Sequence, residues 1–296
     1  MKITNNKNLP EGIYRAILSS EKRDLDERID YTVTELLQPN KILLLKKRHD
    51  DEIVEDASDM IWKLFGRAVH YILEKGHSDS QVSVEKRFNT LIGDKVISGQ
   101  VDVMEDNTLL DFKITSIWSY IYGSRLEDYT RQLNYYALLA EKNGFKINNL
   151  KVIMLFRDWS QSKAEYDKNY PGQVEEVEVE RWSNEDIMID LVAKLDSIES
   201  DEVREDDVIE PCSRAERWQR DDKWAVMKKG RKSALNGGIC NSEVEAVDFI
   251  DNLKGMHDLM RKQYYVEHRM GECVRCSRYC AVGKNGFCNY YNKNIK

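Results

Sequence analysis

Two strand-like apolar runs, SGQVDVM at 98–104 and TLLDFKI at 108–114, are separated by little more than the turn-forming pair Asp106-Asn107. Their alternating apolar positions predict two half-buried strands joined through a tight turn. This hairpin constrains the chain most, because it places charges inside strands that otherwise read as core. Asp102 lies in the first strand, and Asp111 and Lys113 lie in the second. Asp111 and Lys113 are two residues apart, so both side chains leave the same face. If Asp102 meets them there, two carboxylates and an ammonium converge on one spot.

Such a convergence needs a chemical reason. Two carboxylates beside a phosphodiester would repel it by about 4 kcal/mol per charge pair at roughly 4 Å and an effective dielectric near 20. The arrangement makes sense when a divalent cation occupies it. Oxygen ligands select a hard ion such as Mg²⁺ or Mn²⁺, which lowers the pKa of bound water and neutralises a leaving oxygen. Lys113 would orient the attacking water or stabilise charge developing at phosphorus.

Three further segments fall in order around the hairpin. FGRAVHYILEKG at 65–76 has helical apolar spacing through Phe65, Val69, Ile72 and Leu73, and it carries His70. RQLNYYALLA at 131–140 sets Gln132 and Tyr136 four apart, on one face of a predicted helix. Glu85, in VSVEKRF, adds an acidic group, although beside Lys86 and Arg87 a solvated strand edge is the competing reading.

With these in place, Asp102, Asp111 and Lys113 resemble the D…(D/E)xK signature of the PD-(D/E)XK nuclease superfamily, and the flanking motifs resemble its RecB-like branch. The likeness runs from about residue 55 to 157, with Val101 where the family has its customary proline. It implies an α/β restriction-endonuclease-like core, with a mixed central sheet flanked by helices. It also implies that His70, Asp102, Asp111 and the carbonyl of Phe112 hold Mg²⁺ or Mn²⁺, that Lys113 assists the water, and that Gln132 and Tyr136 position the strand. Some relatives place a further acidic group where Glu85 stands. The activity implied is hydrolysis of DNA, with exonuclease action favoured, in recombination, repair or replication of phage or mobile-element DNA. DNA, single-stranded or at duplex ends, would be the partner, with room for a single-strand-annealing or recombination protein. The alternative is a non-catalytic DNA-binding or recombination-partner subunit that keeps the fold.

At 296 residues and 41% hydrophobic content, the chain suits one large domain plus an appendage. It divides into a helical N-terminal extension at 1–54, a nuclease core at 55–210 and an appendage at 211–296. In the extension Thr34 is the expected N-cap of a helix broken at Pro39, and Lys46, Lys47 and Arg48 are candidates to line a DNA channel. No run of eighteen apolar residues and no signal-like N-terminus is present, so a soluble protein of the bacterial host cytoplasm, without a membrane role, is expected.

A net charge of −7 argues against a nucleic-acid partner, but the charge is unevenly spread. From Cys212 to Cys240 eight basic residues face three acidic ones, giving +5, and local field governs phosphate affinity. Trp218 and Trp224, interleaved there, are suited either to stacking on unpaired bases or to a small core. Residues 222–252 read as a ββα unit.

Beyond it, Cys273, Cys276, Cys280 and Cys288 follow a C-x2-C-x3-C-x7-C spacing. In a reducing compartment, thiols this dense imply a soft metal rather than disulfides. RecB-like relatives often hold a [4Fe-4S] cluster with one distant cysteine and three near the C-terminus, which Cys212 with Cys276, Cys280 and Cys288 would match. Here the distant cysteine follows the core instead of preceding it. The compact set Cys273 to Cys288 would suit Zn²⁺ equally well, and Cys240 has no assigned partner.

Overall fold

The computed structural model describes residues 1–21, 26, 28–77, 83–253 and 263–295, side chains at 74, 77 and 83–85 excepted. It separates into two units, Met1–Glu205 and Asp206–Lys296.

In the first unit the strands are β1 (Lys2–Thr4), β2 (Tyr31–Thr32), β3 (Val54–Asp56), β4 (Ser83–Ile92), β5 (Lys95–Glu105), β6 (Thr108–Thr115), β7 (Asn149–Phe156) and β8 (Val174–Val179). Its helices are α1 (Glu11–Glu21), α2 (Val33–Leu36), α3 (Asn40–Arg48), α4 (Ile61–His77), α5 (Ile117–Ile121), α6 (Leu126–Lys142), α7 (Gln161–Tyr166) and α8 (Asn184–Glu202). Six strands form one mixed sheet. β4, β5 and β6 are an antiparallel meander, β6 and β7 run parallel, and β8 returns antiparallel. The architecture is therefore α/β, a mixed sheet flanked by helices.

The hairpin that dominates the sequence forms as its pattern predicts. Asp106 and Asn107 adopt φ of 47° and 61°, left-handed values that a two-residue hairpin turn requires and that Asp and Asn tolerate. The β5–β6 ladder, however, covers only Val103–Glu105 against Thr108–Leu110. Earlier on that edge β5 is paired by β2 instead, Tyr31 opposite Ile97 and Thr32 opposite Ser98. Residues 99–102 thus lie in a split between two partners, and Asp102 sits in that split. β6 continues with β7, which pairs its full length from Thr108 to Thr115.

α6 supplies much of the core. Leu133, Ala137 and Ala140 are fully buried, and the helix stops at Asn143, followed by Gly144 at φ 88°, the usual left-handed exit. Its close approach to β5 depends on Gly99. A Cβ there would lie 2.8 Å from both Leu139 Cδ1 and Tyr136 Cδ1. A glycine inside a strand is the sequence signal for such an approach.

Three expectations for the N-terminal half are corrected. The cap of α2 is Thr32, not Thr34: its hydroxyl accepts from Glu35 N–H and Glu35 returns a bond to the Thr32 N–H, a reciprocal capping box. Residues 1–54 are not purely helical, since β1 pairs with β3 and β2 joins the main sheet. Lys47 donates to the Asp30 carbonyl over the Tyr31 ring, and Arg48 donates to the Glu202 carbonyl. The buried stripe of α4 also differs from its reading. Ile61 and Leu64 pack on the Ile17–Ala57–Met60 cluster, whereas Phe65 and Ile72 are exposed. α1 is the packing partner that moves the buried face.

The second unit has a three-stranded antiparallel sheet, β9 (Lys223–Lys228) between β10 (Ile239–Cys240) and β11 (Tyr264–Arg269). α9 (Glu243–Asp251) packs on it. The expected ββα unit thus has a third strand, supplied from beyond residue 252. A π-helical turn at Arg275–Tyr279 and two short helices, α10 (Ala281–Lys284) and α11 (Asn289–Asn294), complete the unit. Among the described residues no helix is long and apolar enough to cross a membrane.

Candidate active site

The split in the sheet creates the site. Where β6 loses its β5 neighbour, the Phe112 N–H donates to Asp102 Oδ2 at 2.8 Å, so a side chain replaces the missing strand. His70, from α4, brings Nδ1 to 3.3 Å from the same oxygen. That contact raises the imidazole pKa, against burial, which lowers it.

Asp111 is 2% exposed. Its Oδ2 stands 2.7 Å from Lys113 Nζ, and that ammonium is the partner of this buried oxygen. Burial pushes the Asp111 pKa up and the Asp102 charge adds to it, while Lys113 pulls the other way. Such a group is costly to keep ionised without further compensation. Lys113 Nζ also lies 5.4 Å from the Tyr129 ring centroid.

α6 presents the remaining pair. Gln132 Nε2 donates to the Tyr136 hydroxyl at 3.0 Å, and both residues are buried. Burial, then the charge of Asp111, raises the Tyr136 pKa, so the phenol keeps its proton at neutral pH. The structure thus brings His70, Asp102, Asp111 and Lys113 within charge reach of one another, with Gln132 and Tyr136 behind them. Glu85 belongs to β4, and its side chain lies outside the described residues. Two contributors escaped the sequence reading: the Phe112 N–H, legible only once the strand split is known, and Gly99, which admits Tyr136.

A divalent ion was expected here, so its fit can be tested. Among the described residues no three or more His, Cys, Asp or Glu side chains form a group that could hold a metal ion. A complete protein shell is therefore not preformed. The donors still suit a hard ion that retains several waters and takes one or two carboxylates, because the buried Asp111 carboxylate lies within charge reach of a second one, Asp102.

The second unit gathers its thiols differently. The segment Cys212–Arg220 lies along Glu272–Arg275: Gln219 bridges to Cys273, Arg220 N–H donates to the Glu272 carbonyl at 3.0 Å, and Arg275 N–H donates to the Arg217 carbonyl at 3.0 Å. Arg217 in turn donates to the Cys212 carbonyl and lies over the Tyr290 ring. Cys212 therefore comes within electrostatic reach of Cys276, Cys280 and Cys288. Burial first, then neighbouring charges including theirs, push its thiol up to about 12. For the same reasons Cys276 is pushed up to about 11. Cys273 is buried near the Tyr290 hydroxyl, at 3.9 Å. All six cysteines are free, and, as placed, they form no ready ligand set. Their chemistry fits a soft ion, since binding as thiolates would reverse the unfavourable shift.

Both tryptophans of the basic segment are half-buried. Trp224 joins the Val226–Cys240–Ala246 cluster and contacts His268, while Trp218 lies between Tyr279 and the Arg275 guanidinium. Lys229, Arg231 and Lys232 are exposed after β9.

The fold and the site define an α/β protein with a mixed sheet and a buried carboxylate, lysine and histidine grouping at a strand split. No protein-family model matches the chain, and no curated protein matches it. Among solved structures it is similar to the crystal structure of SSO0001, at 16% identity and a TM-score of 0.44, covering 62% of this chain and 82% of that one. A likeness this distant carries no argument about the site.

Proposed function

We propose that this chain is a divalent-metal-dependent deoxyribonuclease of the RecB-like PD-(D/E)XK type, acting as an exonuclease in recombination, repair or replication of phage or mobile-element DNA in the host cytoplasm. The observation that carries the reading is the Asp111 carboxylate, 2% exposed, paired with Lys113 Nζ at 2.7 Å and within charge reach of Asp102. A fold retains such a costly arrangement where function requires it.

Asp102 and Asp111, with His70 and the Phe112 carbonyl, are the groups that would hold Mg²⁺ or Mn²⁺. When bound, the ion acidifies water and offsets charge on the phosphate. Lys113 holds the attacking water or the charge growing on the phosphoryl oxygens. The Phe112 N–H fixes Asp102, and the protonated Tyr136 with Gln132 orients the strand by donating hydrogen bonds. In the second unit, Cys212, Cys276, Cys280 and Cys288 would hold a [4Fe-4S] cluster, with Zn²⁺ on Cys273 to Cys288 as the alternative. Either metal would fix the C-terminal segment.

The test is cleavage of end-labelled linear single- and double-stranded DNA, beside a circular single strand, with Mg²⁺ or Mn²⁺. Lys113→Ala is expected to lower the rate at least about 100-fold while the protein folds and binds DNA normally. Unchanged cleavage by Lys113→Ala would remove the role of that lysine. No cleavage of any DNA by the wild type would favour the binding-subunit reading instead.

A further inference from the structure

Two exposed tryptophans lie beyond the C-terminal ends of β6 and β7, and each carries a cation. Trp62, on the first turn of α4, is 60% exposed and has the Arg157 guanidinium 4.8 Å from its ring centroid. Trp118, on α5, is 45% exposed, stacks on Tyr122 with ring centroids 5.9 Å apart, and has Lys163 Nζ at 5.0 Å, the same ammonium lying 5.9 Å from the Tyr170 ring. Among the described residues neither cation has a carboxylate at ion-pair distance. The nearest acids in sequence make other contacts: Asp158 accepts from the Ser116 hydroxyl and the Ile117 N–H, Glu165 accepts from the Gln161 amide, and Asp167 accepts from the Asn169 N–H.

The local fold explains this placement. β6 and β7 are parallel and end together, with the Arg157 N–H donating to the Thr115 carbonyl. Ser116 then caps α5 and turns Trp118 into a cleft of 520 Å³ whose walls are Ile121, Tyr166, Tyr170 and Pro171, with Lys163 and Asp167 as its charged groups. The Trp159 indole N–H, bonded to the Pro171 carbonyl at 3.0 Å, fixes the far wall. The volume lies within the range of small-ligand pockets, and the mouth of a sheet at its strand ends is a common binding place. Flat aromatic walls with an unpaired cation match a base and its phosphate, and stacking of this kind tolerates any base. Lys113 and Trp118 are five residues apart, at most about 18 Å along the chain, a span that about five stacked nucleotides cover at ~3.4 Å each.

We infer that the Trp62–Arg157 and Trp118–Lys163–Tyr170 groups form a stacking track for unpaired DNA bases, which delivers a single strand to Asp111 and Lys113. This inference rests on the nuclease reading above and narrows its substrate to an unpaired strand. A duplex keeps its base faces covered, so it gains nothing from the two rings.

The test measures equilibrium binding of the full-length chain, in the Lys113→Ala background with Mg²⁺, to a fluorescent 15-nucleotide oligothymidylate and to a blunt 15-base-pair duplex. Trp118→Ala should weaken oligothymidylate binding at least about fivefold and leave duplex binding within about twofold. Trp118→Phe, which keeps a ring, should bind as the parent does. Lys163→Gln should reduce the salt slope by about 0.7, the value for one phosphate contact on a single strand. If Trp118→Ala binds oligothymidylate like its parent, or loses both DNAs equally while Trp118→Phe does too, the track is overturned and the nuclease reading stands. If the parent binds neither DNA and the wild type cleaves none, the nuclease reading falls and the track falls with it.

Discussion

The two units bury unfavourable groups by opposite means. In the first, Asp111 and Asp102 sit on long regular strands backed by fully buried side chains such as Leu109, Leu133 and Val152. Rigid elements hold the charges, and hydrophobic packing offsets the cost of burying them. In the second, Cys273, Cys276 and Cys280 are buried among a π-helical turn and helices of four and six residues. A small separate cluster, Val226, Cys240 and Ala246, stands under its three-stranded sheet. The first unit can support a charged site from its own core. Among its described residues the second has a smaller core, so its thiols are placed where a bound metal would contribute most.

Cys276→Ser gives the largest expected effect on this contrast. A structural metal contributes about 10 to 16 kcal/mol at neutral pH, so the variant should lose bound iron or zinc in elemental analysis. Limited proteolysis should then cut within 206–296 while the first unit resists. Cys240→Ser is the companion, since Cys240 lies in the apolar cluster; it should retain the metal and cost only about 1–3 kcal/mol. Equal metal content in wild type and Cys276→Ser would break the comparison.

Gly99→Ala probes the first unit's support of its site. The added methyl meets Tyr136 and Leu139 at 2.8 Å, so urea unfolding should show a loss of about 1–3 kcal/mol. DNA cleavage should fall with it, because Tyr136 must shift. A variant as stable and as active as the wild type would show that α6 can move away without consequence.

The smallest effect belongs to Asp56, at the surface. Its carboxylate is held at about 2 by the bond with Ser58, with Asn6 and Thr4 adding to it. A depressed carboxylate stabilises the fold above its unfolded value of 3.8 and loses that contribution as pH falls through about 2. Asp56→Asn should therefore lower the melting temperature slightly at pH 7, with the gap closing between about pH 4 and pH 2. A gap that persists at pH 2 would assign the effect to shape rather than charge.

Much of the first unit was legible because its signals are local. The hairpin, its Asp106-Asn107 turn and the helix that carries Gln132 and Tyr136 follow from periodicity and turn chemistry, which neighbouring residues decide. The phase of α4 was misread because α1, distant in sequence, chose which face it buries. Thr34 was read as the cap, whereas the reciprocal bond with Glu35 makes Thr32 the cap. In the second unit β11 went unread, since a third strand pairs with β9 only through tertiary contact.

The sequence by itself determined which residues could do chemistry: Asp102, Asp111, Lys113, His70 and the cysteines, whose types and spacing are local properties of the chain. Only the tertiary structure decided how they meet. The split between β2 and β6 along one edge of β5 placed the Asp102 carboxylate against the Phe112 N–H, and pairing of Cys212–Arg220 with Glu272–Arg275 brought Cys212 toward the C-terminal thiols. Both depend on strand partners far apart in sequence, and long-range pairing is a property of the packed chain rather than of any segment.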